Sequence, residues 1–330
     1  MQFDLTDDQR EIQEVARRFT ASDITPHAAH WDERHIFPVD TIRAAAALGF
    51  GAIYVSQASG GIGLGRVEAA LIMEAMAYGC PSTSAFISIH NMASWMIDAF
   101  GSAELKARYL PQLVPMNLIA SYCLTEPGSG SDAAALRTRA VRDGDDYVVT
   151  GTKAFISGGG ANDVYITMVR TGVDGPKGIT ALVIDKDIPG VSFGAPERKL
   201  GWHSQPTAQV NFDRVRVPVA NRIGVEGQGF AIAMQGLDGG RLNIGACSLG
   251  GAQRALDEAI AYTRGRSQFG KAISDFQATQ FKLADMETEL QAARTLLYAA
   301  AARVETNAPD KTRFAAMAKR LATDTGIGGR

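Results

Sequence analysis

The sequence predicts an α+β fold, because helical and strand patterns occupy separate stretches of the chain instead of alternating. Residues 1–118 show helical spacing of apolar residues, 119–220 show short β-rich runs, and 221–330 return to long helical patterns. The strand runs follow one another too closely for strand–helix–strand crossovers. We therefore expect an N-terminal helical domain, a middle β domain and a C-terminal helical bundle that is incomplete.

The N-terminal domain is predicted to begin with a capped helix. Thr6 and Gln9 stand at capping-box spacing, and apolar residues recur behind them every three or four positions. Further helices are expected over 39–49, 66–78 and 83–100, with short Gly- or Pro-bearing loops between them.

The strands of the middle domain are predicted by short runs rich in β-branched and aromatic residues between turn residues. The stretch VRDGDD, just before the second run, predicts a hairpin tip. The runs read LIASYCLT, DYVVTG, DVYITMV, ITALVID and QVNFDRVRV.

The C-terminal domain is predicted from one long apolar stripe. Leu283, Leu290 and Leu297 lie on one face of a helix, which indicates a packed seam and not a ligand site. The chain stops at KRLATDTGIGGR, in or just after an unfinished helical layer, so we expect this seam to lie uncovered.

The composition argues against several classes of partner. The chain of 330 residues has 33 Lys and Arg against 35 Asp and Glu, a balance that favours binding neither to nucleic acid nor to an anionic membrane. Its three widely spaced cysteines favour a reducing compartment. The acidic start lacks a leader pattern, so we expect a cytoplasmic protein, or a mitochondrial-matrix protein if a transit peptide has been removed.

A glycine-rich stretch, SYCLTEPGSGSD at 121–132, poses the functional question. Gly128, Gly130 and Ala133 match the G-x-G-x-x-A spacing of dinucleotide-binding loops. The helix and the acidic strand end that a nicotinamide site requires do not follow, and the next strand ends in Thr150 and Gly151. A structural turn and a loop that binds another ligand remain the alternatives.

Several segments together resemble the acyl-CoA dehydrogenase family. They follow one another in the family's order and cover essentially the whole chain from Leu5. The segments are CLTEPGSGSDAAA, AFISGG, FDRVRVP, GVEGQGF, GLDGGRLNIGACSLG and RSQFGKAISDFQATQFKLADM.

The resemblance implies that FAD lies along the glycine loop. In the family a hydroxyl side chain donates to flavin N5, and Ser157 matches that position, next to Ile156 and to Phe155, whose ring would shield the flavin. From the residues alone, Phe155 and Ser157 fit an ordinary strand alternation. The loop positions implied for the cofactor are Tyr122, Cys123, Leu124, Thr125, Glu126, Pro127, Gly128, Ser129, Gly130 and Ser131.

The resemblance also implies assembly of subunits. Arg266 matches an arginine that reaches the diphosphate of FAD on a neighbouring subunit, and Phe276 and Gln277 match its adenine end. We therefore expect a homo-oligomer, which in the family is a tetramer. The alternative for Arg266 is an exposed helix arginine.

The implied substrate is an acyl-CoA thioester. Ser131, Asp238, Gly239, Gly240 and Arg241 match the family's acyl-CoA contacts, although Asp238 and Arg241 also fit an ordinary ion pair three residues apart. The segments SWMIDAFG, GPKGIT, SFG and GWHSQPT are most similar to members that oxidise short branched substrates such as isobutyryl-CoA, in valine breakdown. Electrons would pass to an electron-transferring flavoprotein.

The catalytic base is expected outside this sequence. Most members carry the glutamate beyond the equivalent of Arg330, and in a minority branch its position falls on Gly240. The alternative function is a non-catalytic remnant that binds flavin or CoA. His27, His30 and His35 lack an acid or cysteine to complete a metal site, so no metal is predicted and a solvated segment between helices is expected.

Overall fold

The computed structural model describes residues 4–328 of the chain. It confirms the α+β class. The helices are α1 (Asp7–Phe19), α2 (Ala28–Arg34), α3 (Val39–Ala47), α4 (Arg66–Gly79), α5 (Pro81–Phe100), α6 (Ala103–Leu113), α7 (Gly229–Gly265), α8 (Gln277–Glu305) and α9 (Lys311–Gly328). A short π-helix, Thr20–Ile24, follows α1.

The predicted capping box is confirmed at the start of α1. Thr6 Oγ1 accepts from the Gln9 N–H at 3.2 Å, and Gln9 Oε1 accepts from the Thr6 N–H at 3.1 Å. These two bonds satisfy backbone donors that a helix start leaves unpaired.

The strands form one large sheet and a separate small hairpin. The strands are β1 (Ala120–Cys123), β2 (Arg139–Asp143), β3 (Asp146–Ser157), β4 (Val164–Arg170), β5 (Ile179–Asp185), β6 (Val191–Phe193), β7 (Thr207–Pro218), β8 (Arg222–Ile223), β9 (Ser267–Gln268) and β10 (Lys271–Ala272). In the large sheet the order is β6-β7-β3-β2-β4-β5-β8, and β1 pairs with β4 in parallel. The hairpin pairs β9 with β10.

The chain divides into two compact units, and each gathers separate stretches of sequence. The first comprises 1–29, 65–85 and 238–330, and the second comprises 30–64 and 86–237. Both α5 and α7 run from one unit into the other. The boundaries of the three domains expected from the sequence stay a prediction.

The sheet lies in the second unit, with apolar clusters on both of its faces. Along β4, Val164 and Ile166 belong to a cluster shared with α5 and α6, whereas Tyr165 and Val169 belong to a cluster shared with β3 and β7. Burial on both faces explains why this strand is a continuous apolar run instead of an alternating one.

A buried histidine fixes the start of β1 within that unit. His90 Nδ1 accepts from the Ala120 N–H at 3.0 Å, while Nε2 faces the Leu113 carbonyl oxygen at 2.9 Å. Burial lowers the pKa of His90 to about 4, so the ring is neutral and Nε2 donates. This contact holds the backbone at the first residue of the strand that leads into the glycine loop.

The expectation that the seam of Leu283, Leu290 and Leu297 lies uncovered was wrong for two of these leucines. Leu290 is 1% exposed and Leu297 is fully buried, while Leu283 is partly buried. The chain's own α9 packs along α8. Gly245 of α7 also lets Leu297 approach closely, since a Cβ at 245 would lie 2.7 Å from Leu297 Cδ1.

The expected solvated segment is confirmed, since His27, His30 and His35 are all exposed. It is not simply a connection between helices, because residues 28–34, which include His30, form α2. The His35 ring stacks on His203 with centroids 4.7 Å apart. In the part of the chain that the structure describes, no group of three or more His, Cys, Asp or Glu side chains is placed to hold a metal ion.

Candidate active site

The glycine loop leaves β1 and makes a tight turn. Glu126 and Ser129 exchange two backbone hydrogen bonds of 3.0 and 3.1 Å, and Ser129 Oγ donates to the Asp132 carbonyl at 2.6 Å. Beyond this turn, a Cβ added at Gly128 or Gly130 would meet no atom within 4 Å. The backbone of this turn at Gly128 and Gly130 therefore borders open space.

The structure brings this loop together with the AFIS segment of β3. The Ala154 N–H donates to the Thr125 carbonyl at 2.8 Å, and Ser121 Oγ donates to the Ser157 carbonyl at 2.7 Å. Segments more than 25 positions apart in the sequence thus lie side by side. The cofactor positions implied at 122–131 and 155–157 belong to one region of the sheet.

A buried ion pair fastens the loop to the strand. Lys153 Nζ donates to Glu126 Oε1 at 2.8 Å and to the Leu124 carbonyl at 3.0 Å, and Lys153 is fully buried. Burial opposes the charge on Glu126, but Lys153 and hydrogen bonds from residues 137 and 138 offset it, so the pKa of Glu126 lies below its usual value. Glu126 is thus an ionised structural anchor.

Phe155 departs from the strand alternation. Its backbone is left-handed, with φ 58°, and its side chain is 65% exposed, while Ile156 beside it is 2% exposed. The register of β3 against β7 shifts between Lys153 and Ile156. Such a bulge redirects a side chain, and here it turns an aromatic ring away from the sheet core.

The remaining loop positions divide into buried and open ones. Cys123 is fully buried and Leu124 is 7% exposed, and burial raises the pKa of Cys123 to about 12. Pro127 and Ser131 are exposed. The Tyr122 hydroxyl is buried and has no hydrogen-bond partner within residues 4–328. A ligand with polar groups could satisfy it.

The other substrate positions lie in the first unit, whereas Ser131 lies in the second. Asp238 is 6% exposed, pairs with Arg241 at 2.6 Å and accepts from Thr312 Oγ1 at 2.7 Å. A Cβ at Gly239 would lie 2.4 Å from Arg66 Nη1. The ion-pair alternative accounts for Asp238, whereas the contact at Gly239 is with the end of a long side chain that could move aside. Gly240 follows within α7.

Arg266 opens an exposed aromatic hairpin in the first unit. Its carbonyl accepts from the Ile273 N–H at 2.8 Å, and its side chain is exposed. At the hairpin tip Phe269 is 94% exposed, and Lys271 Nζ lies 4.1 Å from the centre of the Phe276 ring. Gln277 begins α8 and is exposed.

A cavity of about 840 Å³ in the first unit contains none of the predicted site residues. Several of its polar side chains pair with one another: Glu74 accepts from Arg294 at 2.8 Å and from Tyr298 at 2.7 Å, and Tyr78 donates to Asp257 at 2.9 Å. We assign it no function.

Sequence reasoning missed two residues beside the glycine loop. Lys153 directly precedes the AFIS segment in β3. No local sequence pattern indicates that its side chain is buried. Gln205 is 4% exposed, and its Nε2 donates to Ser157 Oγ at 2.6 Å. Its position in GWHSQPT was used only as a mark of resemblance.

The chain matches three consecutive family descriptions. They are "Acyl-CoA dehydrogenase, N-terminal domain" over residues 6–117, "Acyl-CoA dehydrogenase, middle domain" over 121–215 and "Acyl-CoA dehydrogenase, C-terminal domain" over 227–327. The chain belongs to the acyl-CoA dehydrogenase family, whose members are FAD-dependent oxidoreductases.

Individual relatives agree with this family. A curated protein named "Isobutyryl-CoA dehydrogenase, mitochondrial" from Bos taurus is 52% identical over 320 residues, which cover 97% of this chain and 77% of the relative. Butyryl-CoA dehydrogenase from Megasphaera elsdenii has a similar structure, with a TM-score of 0.96 at 36% identity, covering 100% of this chain and 87% of that one. The FAD complex of PigA gives a TM-score of 0.95 at 32% identity, with coverages of 100% and 87%.

FAD is the cofactor of this family, and the residues of the sheet region fit it. The Tyr122 hydroxyl has no partner among the described residues, the loop at Gly128 and Gly130 faces open space, and Phe155 presents an aromatic ring. These features suit a large planar ligand with many hydrogen-bond acceptors. Within residues 4–328 no helix is long and apolar enough to cross a membrane.

Proposed function

We propose that this protein dehydrogenates a short branched acyl-CoA, such as isobutyryl-CoA in valine breakdown, to the 2-enoyl-CoA. The proposal rests on one observation, the hydrogen bond from the Ala154 N–H of β3 to the Thr125 carbonyl of the glycine loop. That contact gathers the open glycines, the Phe155 ring and the Ser157 hydroxyl in one region. The substrate is proposed from the bovine relative.

The residues of this region would divide the work on the cofactor. When bound, FAD supplies the acceptor for the β-hydrogen of the thioester, which leaves as a hydride while the α-hydrogen leaves as a proton. The backbone of 127–131 would approach the cofactor closely, Phe155 would cover one face of the ring, and Ser157 would donate a hydrogen bond to flavin N5.

Neither of two buried carboxylates is assigned as the base that removes the α-proton. Glu126 is held by Lys153, and Asp238 is held by Arg241 and Thr312. A general base needs a free lone pair within reach of the proton that it removes. In this proposal both acids have a structural role.

The proposal is tested by mixing the FAD-loaded full-length protein anaerobically with isobutyryl-, 2-methylbutyryl-, butyryl- and octanoyl-CoA. We expect the visible flavin absorbance to bleach fastest with a short branched thioester. A preference for octanoyl-CoA would overturn the substrate assignment. Failure of all four thioesters to bleach a bound flavin would favour the non-catalytic alternative.

The assembled form is proposed to be a homo-oligomer, a tetramer as in the family, that passes electrons to an electron-transferring flavoprotein. We place it in the cytoplasm, or in the mitochondrial matrix where a transit peptide has been removed. Arg266 would then contact the cofactor of a neighbouring subunit. Its exposed side chain beside the Phe269 hairpin supports this role.

Replacing Arg266 by alanine should weaken FAD binding by about 1.5–3 kcal/mol, because a charged hydrogen bond to the diphosphate is lost. The measurement is the flavin that remains bound after dialysis. Arg264→Ala serves as the control. It removes the same charge from a site that is also exposed and lies two residues earlier in the chain. Equal flavin retention in both variants would contradict the contact between subunits.

A further inference from the structure

The hydroxyl of Ser157 has one hydrogen to donate and lone pairs to accept with. Gln205 Nε2 donates to Ser157 Oγ at 2.6 Å. Among the described residues no acceptor for the hydroxyl hydrogen of Ser157 is recorded. With the oxygen engaged by an N–H donor, that hydrogen is left free to point at another group.

Both backbone polar groups of Gln205 are hydrogen-bonded. Its N–H donates to the Trp202 carbonyl at 3.1 Å, and its carbonyl accepts from Lys199 Nζ. Lys199 Nζ also donates to the Trp202 carbonyl at 2.7 Å and to Thr207 Oγ1 at 3.1 Å. One ammonium group thus closes the loop that carries Gln205.

The same loop is anchored at its outer side. Asp32 of α2 accepts from the His203 N–H at 2.8 Å and faces His203 Nδ1 at 3.2 Å. His203 Nε2 lies 2.9 Å from the Lys199 carbonyl, and the His35 ring stacks on the imidazole. These contacts fix the backbone of the loop that carries Gln205, while Gln205 Oε1 is buried and has no hydrogen-bond partner among the described residues.

The neighbouring backbone is fixed as well. The Ser157 carbonyl accepts from Ser121 Oγ, and the Gly158 N–H donates to the Pro206 carbonyl at 2.8 Å. The strand end that carries Ser157 and the loop that carries Gln205 are therefore tied together by more than the side-chain contact. This geometry is preorganised before any ligand binds.

We propose that Gln205 is a positioning residue, which occupies the Ser157 oxygen as a donor and so leaves the Ser157 hydrogen for an acceptor on the flavin. The inference rests on the proposed placement of the flavin against Phe155 and Ser157. It assigns Gln205 an effect on the electron affinity of the flavin, exerted only through Ser157. A carboxamide suits this role because it has an N–H donor and carries no charge.

The test uses Gln205→Glu, which keeps the shape of the side chain but presents acceptors in place of the N–H donor. The introduced carboxylate should accept the Ser157 hydrogen and withdraw it from the flavin. We expect the midpoint potential of the bound flavin to move in the same direction as in Ser157→Ala. We also expect FAD affinity to fall about threefold to tenfold, as for one lost hydrogen bond.

Three further variants separate positioning from general damage. In the Ser157→Ala background, Gln205→Glu should cause almost no further change of potential, because the group through which it acts is gone. Gln205→Leu removes the donor without adding charge and should move the potential in the same direction. Gln209→Glu on β7 makes the same charge change at a half-buried position and should leave the potential unaltered.

The outcomes are distinct. If Ser157→Ala moves the potential while Gln205→Glu and Gln205→Leu do not, the positioning role is wrong. Additive shifts in the double variant would also overturn it. If the wild-type chain binds FAD but Ser157→Ala changes neither its spectrum nor its potential, the placement of the flavin itself fails.

Discussion

Replacing Lys153 by methionine should lower the free energy of unfolding by about 3–5 kcal/mol, the usual cost of removing one partner from a buried ion pair. Lys153 is fully buried, and its loss would leave the Glu126 carboxylate, 7% exposed, without its cation. Chemical denaturation of the FAD-free chain measures the effect.

Two variants and one pH series check the cause of that loss. Lys177→Met removes an exposed lysine from the same unit and should change stability by less than about 0.5 kcal/mol. Adding Glu126→Gln to Lys153→Met should recover part of the loss, since the unpaired charge is removed. A double variant less stable than Lys153→Met would contradict the ion-pair explanation.

The pH dependence follows from the sign of the Glu126 shift. Because its folded pKa is lowered from the ordinary glutamate value of 4.5, the pair stabilises the fold above that value and loses this contribution as the pH falls through the folded pKa. Acid unfolding of the wild-type chain should therefore be steeper than that of the Lys153→Met, Glu126→Gln double variant.

Replacing Gly130 by valine should weaken FAD binding by about 1–3 kcal/mol while leaving the FAD-free chain as stable as the wild type. In the protein alone an added Cβ at 130 meets no atom within 4 Å, so the side chain fits. With cofactor lying along the loop, the same carbon atoms would overpack the contact. Fluorescence titration with FAD gives the affinity.

Gly172→Val is the matched control at the turn between β4 and β5. It is exposed, and its Cβ would reach only an ordinary contact of 3.5 Å with the Gly178 Cα. This variant should bind FAD as the wild type does. Equal affinities in Gly130→Val and Gly172→Val would place the cofactor away from the glycine loop.

The helices and strands could be predicted largely from local pattern. The capping-box spacing of Thr6 and Gln9 predicted the first helix. The hairpin tip predicted in VRDGDD is confirmed between β2 and β3, where Gly144 has φ 64°. These signals need only neighbouring residues. The helix α7 was less evident, because it continues through Gly239 and Gly240 despite their low helix propensity.

The candidate site depended on contacts that no local pattern records. Phe155 reads as one more strand residue until the bulge beside it turns the ring outward. Lys153 and Glu126 lie far apart in the sequence, and Gln205 lies farther still from the glycine loop. The family resemblance supplied the positions, and only the fold supplied the anchors that hold them.

The most direct test of the central claim is hydrogen exchange of the chain with and without FAD, followed by mass spectrometry. The claim is that FAD lies along the glycine loop and the end of β3. It predicts slower exchange of the amides of 128–131 and of the segment around Ser157 when FAD is bound, because a bound cofactor shields exposed backbone groups. Tight FAD binding that leaves exchange at 128–131 unchanged would contradict the account.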